Sequence, residues 1–252
     1  NGVKAVRWQG RLCALKSGVG TTADCRRCIL ADASNEAAQM AMVEHTRVII
    51  STVGPDSLYG EPLVQACVRS GTEYCDLTGE VQWIRKMVER YEEEAKSSGA
   101  RIVHCCGFDS IPSDMGVWFL QNQAEQTFGA PCRDVRMRVK TAKGEFSGGT
   151  VASLMNAVKE AAADPKLRKQ MANPFSICPP DHRSKTRQPS LKGEEYDKTF
   201  NAWLAPFVMA AINTRVVHRS NALQNARYGK EFTYDEAMMT GRGTKGRLAA
   251  YA

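Results

Sequence analysis

Three short apolar runs set the pattern of this chain, and each ends in small or acidic residues. Val48-Ile49-Ile50-Ser51-Thr52-Val53 is β-branched with no polar alternation, which predicts a strand covered on both faces, as in a parallel sheet. Gly60-Glu61-Pro62 then opens a helix whose buried stripe is Leu63, Val64, Ala66, Cys67 and Val68, and Gly71 stops it. Tyr74-Cys75-Asp76 predicts a second strand. From Trp83 to Ala95 the apolar positions Ile84, Met87, Val88, Tyr91 and Ala95 recur every three or four residues, with Glu and Lys between them, and Ser98-Gly99 ends this amphipathic helix. Arg101 to Cys106 predicts a third buried strand. Pro112 opens a helix carrying Val117, Phe119 and Leu120.

Strand and helix alternating three times predict an α/β fold, a Rossmann-type doubly wound parallel sheet. Past Gly129-Ala130-Pro131 the pattern changes, because Asp134 to Lys140 alternates polar and apolar residues and so predicts a half-exposed, antiparallel strand. We therefore expect two domains, an N-terminally incomplete dinucleotide-binding domain over 1–128 and an α+β substrate domain over 129–252. Gly148-Gly149 precedes a helical run from Val151 to Ala163, and the Pro-, Ser-, Lys- and Asp-rich residues 173 to 195 predict a long loop.

In open α/β sheets ligands bind outside the carboxyl ends of the strands, so the residues that close the three apolar runs are the candidates for chemistry. Thr52-Val53-Gly54-Pro55 closes the first; Gly54 would let backbone approach a ligand, and the next helix start would offer N–H groups to an anion, or the segment is a plain tight turn. Asp76, Thr78 and Glu80 close the second, where two carboxylates could orient a ribose or act as a base. Alternatively Thr78 caps the next helix and Glu80 favours its positive end. His104, Asp109, Ser110 and Asp114 form the richest group and could move protons, although a histidine on an apolar strand is often a satisfied core residue and Asp109 or Ser110 could be a cap. Phe146-Ser147-Gly148-Gly149-Thr150 could hold an anionic substrate at a further helix start, or merely cap it. Asn213-Thr214-Arg215 and His218-Arg219-Ser220-Asn221 add donors late in the chain.

Composition narrows these readings. With 252 residues, 43% hydrophobic and 24% charged, the chain is ordinary globular material. Its net charge of +7 comes from Lys and Arg scattered among acids, without a basic block, which argues against nucleic acid and suits an anionic ligand. Nine cysteines, dispersed through apolar contexts, read as reduced intracellular thiols. Cys25-Arg26-Arg27-Cys28 has no second Cys or His pair at zinc spacing, so no metal site is expected. No apolar run reaches the roughly 18 residues of a membrane span. The start at Asn1-Gly2-Val3-Lys4 has no apolar signal-peptide core and no Met, and the chain reads as a fragment.

The same residues carry a family resemblance over nearly the whole chain. Thr52 to Pro55 with Tyr59-Gly60-Glu61-Pro62-Leu63-Val64, then Tyr74 to Glu80, then Gly107-Phe108-Asp109-Ser110-Ile111-Pro112-Ser113-Asp114, resemble the saccharopine dehydrogenase-like oxidoreductases. Gly144 to Ser153 and Asn213 to Leu223 resemble, within that family, the bacterial trans-acting enoyl reductase branch. The resemblance implies NADP as cofactor, with NAD as the alternative, and hydride transfer to an enoyl thioester carried by a polyketide synthase, or to a related lipid intermediate. It implies cofactor contacts from Arg11, Thr52, Val53, Gly54, Pro55, Tyr59, Asp76, Gly107 and Phe108. His104, Asp109 and Asp114 would be the catalytic group, and Ser147, Gly148, Gly149 and Thr150 would line the substrate side. Partners would be a small-molecule or carrier-bound acyl substrate and, as a homodimer, a second copy; the location would be cytoplasmic, or peripheral on membranes or lipid droplets. The family opens with a strand and a glycine-rich phosphate turn, and nothing of that kind precedes Val48; Gln9-Gly10-Arg11 matches only the Gly-Arg after the second strand of relatives. A catalytically silent binding or scaffold protein with the same fold is the other reading this departure allows.

Overall fold

The computed structural model describes residues 4–5, 28–29, 35–141, 148–182 and 184–251, with the side chains of 4–5, 28–29, 148–152, 154, 157 and 158 left aside. The chain divides into two compact units, 1–106 with 147–160, and 107–146 with 161–252. The boundary expected at 128/129 falls inside the second of these.

In the first unit β1 (Lys4–Ala5) and β2 (Cys28–Ile29) pair in parallel. Helix α1 (Glu36–Val43) is capped by Asn35, whose Oδ1 accepts the Ala38 N–H at 3.0 Å. Then β3 (Val48–Ser51), the short α2 (Asp56–Tyr59), α3 (Glu61–Ser70) and β4 (Glu73–Asp76) follow. Helix α4 (Val81–Ser98) leads to β5 (Ile102–Val103). Gly71 and Gly99 end α3 and α4 at φ 72° and 80°, the left-handed turn that glycine enters without steric cost.

Strands β3, β4 and β5 form a parallel sheet in that order, with Ser51 beside Asp76 and Cys75 beside Val103. The carboxyl ends of three adjacent strands therefore lie side by side, an α/β arrangement consistent with a Rossmann-like fold. Val43, Val64, Cys67, Val68, Tyr74, Trp83, Ile84 and Met87 fill its core. Packing is tight where α3 begins: a Cβ on Gly60 would sit 2.6 Å from the Trp83 ring.

Two expectations need correction here. The β3 run is not covered on both faces: Ile49 and Ser51 are buried, whereas Ile50 is 70% exposed. A β-branched run reports strand propensity, while cover on each face depends on elements distant in sequence. The third strand is also shorter than Arg101–Cys106, because the backbone leaves the ladder at His104 and Cys105 takes φ 62°.

The second unit contains α5 (Ile111–Phe128) and β6 (Asp134–Val139). Helix α6 (Gly148–Ala163) lies mostly in the first unit and is followed by α7 (Pro165–Ala172). Strands β7 (Glu195–Asp197) and β8 (Ala202–Pro206), helix α8 (Ala210–Leu223), strand β9 (Thr233–Gly241) and helix α9 (Gly243–Tyr251) complete it. The sheet order is β6-β9-β8-β7, and Val117, Val135, Val217, Tyr228, Phe232 and Tyr234 form the core. Strand β6 pairs with β9 in parallel, contrary to the antiparallel expectation, and the antiparallel pairs are β7–β8 and β8–β9. Alternating polarity marked a strand with one wet face correctly but says nothing of the partner's direction.

Candidate functional site

The strand ends of the first unit converge on Asp76, the last residue of β4. Its side chain is 1% exposed, and both oxygens are occupied. Oδ1 accepts the backbone N–H groups of Thr78 at 3.1 Å and Cys105 at 3.0 Å, while Oδ2 lies 2.6 Å from Nδ1 of His104. Two backbone donors on one oxygen make this side chain an acceptor, so Nδ1 carries the proton of the third bond. The imidazole also meets the edge of Trp83 from α4, with ring centroids 4.9 Å apart. Among the described residues Nδ1 is the ring nitrogen with a hydrogen-bond partner; Nε2 has none.

Glu80, 3% exposed, works across the sequence. Its Oε1 accepts the N–H of Asp56 at 2.8 Å and its Oε2 the N–H of Ser57 at 3.2 Å, so the carboxylate caps α2 from 24 residues downstream. This overturns the expectation that the helix start after Thr52-Val53-Gly54-Pro55 offers free N–H groups to an anion. It also corrects the local roles: Thr78 does not cap α4, since its Oγ1 accepts the N–H of Glu80, the residue directly before the helix, at 3.2 Å, and Glu80 stands at the N-cap of α4 without a side-chain bond to it.

Asp56, buried beside this cap, has its carboxyl pushed up to about 7, first by burial and then by the neighbouring Asp76 charge, with Thr78 opposing through a hydrogen bond. The Thr52 to Pro55 segment is open instead: Thr52, Val53 and Gly54 are exposed, Gly54-Pro55 is cis, and a Cβ on Gly54 would come no nearer than 3.9 Å, to Ser153 Oγ. Helix α6 meets α2 and α4 here, Asn156 Nδ2 donating to Ser57 Oγ at 3.0 Å and Gln82 Nε2 to Glu160 Oε2 at 3.0 Å.

Residues 107–114 belong to the second unit. Their anchor is Asn213 of α8, fully buried: its Oδ1 accepts from Ser110 Oγ at 2.9 Å, and its Nδ2 donates to the Asp109 carbonyl at 2.7 Å, Ser113 Oγ at 3.1 Å and Glu236 Oε2 at 3.0 Å. Tyr234 Oη donates to the other Glu236 oxygen at 2.7 Å, and burial raises the Glu236 carboxyl. Ser110 thus occupies the N-cap position of α5 without capping it. Asp114 Oδ2 accepts from Ser220 Oγ at 2.9 Å, and burial raises this carboxyl as well. Asp109 and Phe108 are exposed, Phe108 at 92%, and Gly107 is buried. His218, by contrast with His104, is lodged between Phe175 and Phe232 with its imidazole pushed down to about 4 by burial, a core histidine.

Of the other expected site residues, Tyr59 ends α2 at 36% exposure, and Gly148, Gly149 and Thr150 form the first turn of α6. Arg11 and Ser147 lie outside the described residues. The Asp76–His104 bond joins two separately flagged residues, whereas Trp83, Tyr234 and Glu236 carried no signal beyond an apolar or alternating position. Among the described residues no group of three or more His, Cys, Asp or Glu could hold a metal ion, and no helix is long and apolar enough to cross a membrane.

The fold and the strand-end cluster together define an α/β protein built on a parallel sheet with its polar residues gathered at the strands' carboxyl ends. The chain is similar over most of its length to mycobacterial proteins named trans-acting enoyl reductases. One from Mycobacterium tuberculosis, provisionally so named, is 39% identical over 237 residues, 92% of this chain and 57% of that protein. The Mycobacterium ulcerans protein is 36% identical over 257 residues, 96% of this chain and 60% of its own length. The Mycobacterium bovis protein is 36% identical over 260 residues, covering 98% and 61%. The chain thus spans about three fifths of the length of these relatives. No family model matches it.

Proposed function

We propose that this chain is the greater part of an NAD(P)H-dependent enoyl reductase of the saccharopine dehydrogenase-like type, using NADP, with NAD as the alternative, to reduce a carrier-bound enoyl thioester. The observation that carries the reading is the similarity to relatives named for that activity, joined to a parallel sheet whose three strand ends hold its polar residues. In this reading the sheet is the cofactor half of a Rossmann-type fold and the second unit shapes the substrate side.

The residues present fit one end of a dinucleotide. Thr52, Val53 and Gly54 form an exposed ledge with open space at Gly54, against which a flat nicotinamide and its ribose could lie. The phosphates would not sit at the α2 start, because Glu80 already fills it with negative charge. Bound there, the cofactor supplies hydride. The chain's own part is to present the ledge, to fix it through the Glu80 cap, and to keep Asp76 and His104 beside it at the next two strands. Gly148, Gly149 and Thr150 are assigned to the substrate, and Gly107 and Phe108 to the cofactor, on the resemblance alone.

The test is transfer of label from NADPH deuterated at both C4 positions to the β-carbon of a short-chain enoyl thioester, read by mass spectrometry. One deuterium per product at Cβ is expected. Unlabelled product, or no product with cofactor bound, refutes the reductase reading.

A further inference from the structure

We propose that His104 is the acid that protonates the substrate α-carbon, and that Asp76 is the positioning residue that holds its imidazole for this step. The inference rests on the enoyl reductase reading and deepens it. Reduction of an enoyl thioester needs a proton as well as a hydride. Hydride addition at Cβ moves the C=C electrons onto the Cα–C–O unit as an enolate, and Cα must then take a proton. His104 directly follows β5, whose neighbour β4 ends in Asp76 and pairs in turn with β3, the strand that leads into the Thr52 to Gly54 ledge. Its Nδ1 is committed to Asp76 at 2.6 Å, and Asp76 is itself fixed by two backbone donors from different strand-end turns. Trp83 blocks ring rotation from the helix side. Among the described residues the nitrogen left without a partner is Nε2, and an Nε2–H delivered to Cα leaves a neutral imidazole that regains its proton from water. His104, like His218, lies between two rings, here Tyr74 at 6.0 Å and Trp83 at 4.9 Å between centroids; what sets it apart is the carboxylate behind Nδ1.

The first experiment needs no variant: the reaction is run in D2O with unlabelled NADPH, and the α-carbon of the product is analysed. A single deuterium on one face is expected from a protein-held acid; equal label on both faces, or an unlabelled α-carbon, overturns the proposal. Second, His104→Gln should turn over about 10²- to 10⁴-fold more slowly with NADPH binding unchanged. Wild-type turnover overturns the proposal while leaving the reductase reading intact, and absence of transfer in the wild type overturns both. Third, Asp76→Asn keeps an acceptor for the Thr78 and Cys105 N–H groups but turns an NH2 toward Nδ1. Nitrogen-15 NMR should then show the ring proton moved from Nδ1 to Nε2, and turnover should fall by about 10-fold or more. An unmoved tautomer together with an unmoved rate refutes the positioning role.

Discussion

Glu80→Ala is the sharpest test of how the strand ends are held. The carboxylate is 3% exposed and accepts two backbone N–H groups, from Asp56 at 2.8 Å and Ser57 at 3.2 Å, at the start of a helix whose first-turn donors have no partner within the helix. Each charge-assisted bond contributes about 1.5–3 kcal/mol net, and leaving a buried donor unpaired costs about 1–3 kcal/mol. These are two views of one loss, so the variant should be about 3–5 kcal/mol less stable than the wild type. At 2–4 °C per kcal/mol for a protein of this size, the midpoint should fall by roughly 6–20 °C. Glu80→Gln, which keeps one acceptor oxygen, should fall between. The control is Glu61→Ala: Glu61 pairs with Lys86 at 2.7 Å and also with Arg90 and Tyr91, but at the surface, where such pairs contribute about 0–1 kcal/mol. Urea unfolding followed by circular dichroism gives both numbers. A Glu80→Ala loss below about 1 kcal/mol, or one equal to that of Glu61→Ala, would mean that the α2 start is not held by this carboxylate.

Asp56 sets a pH dependence whose sign follows from its shift. Its carboxyl titrates near 7 in the folded chain against an ordinary 3.8, so the folded state binds the extra proton between those values and stability falls as pH rises from about 4 to about 7. Asp56→Asn should remove that fall and be more stable than the wild type at pH 8, by up to about 4 kcal/mol, with little difference at pH 4; parallel pH curves for the two proteins would refute the assignment. Asn213→Ala removes four buried hydrogen bonds from the turn over 109–113 and from Glu236, and calorimetry should show a loss of about 2–4 kcal/mol; a loss under 1 kcal/mol would count against Asn213 as the anchor. Arg138→Met should cost about 3–5 kcal/mol, because it strands the carboxylates of Asp197 and Asp235, 3.3 and 3.0 Å from the guanidinium; unchanged unfolding would show the triad to be replaceable.

What the sequence made legible was local. The α4 stripe through Ile84, Met87 and Ala95 and the glycine stops at 71 and 99 follow from neighbours within a few positions, and they appear where the pattern puts them. The direction of β6 depends on β9, about a hundred residues on, and no periodicity in Asp134–Val139 encodes it. The site divides in the same way. Asp76 and His104 stand out singly, as polar residues closing apolar runs, but they are 28 positions apart and only the parallel register of β4 and β5 brings carboxylate to imidazole. Glu80 reads as a neighbour of α4 because sequence proximity suggests it, whereas its carboxylate swings back to α2. Asn213 could be noticed as one donor among several; that it bonds Ser110, Asp109, Ser113 and Glu236 together is set by how α5, α8 and β9 pack.

The central claim is that the exposed ledge at the end of β3 receives the nicotinamide end of the cofactor. A proton–nitrogen correlation spectrum of the folded chain, titrated with NADPH, tests it directly. Saturable, weak binding is expected, with amide shifts centred on Thr52, Val53 and Gly54 and smaller ones at Thr78 and Cys105, while the capped amides of Asp56 and Ser57 stay hydrogen-bonded to Glu80. A folded sample whose spectrum is unchanged at millimolar NADPH, or whose shifts cluster away from the strand ends, would contradict it.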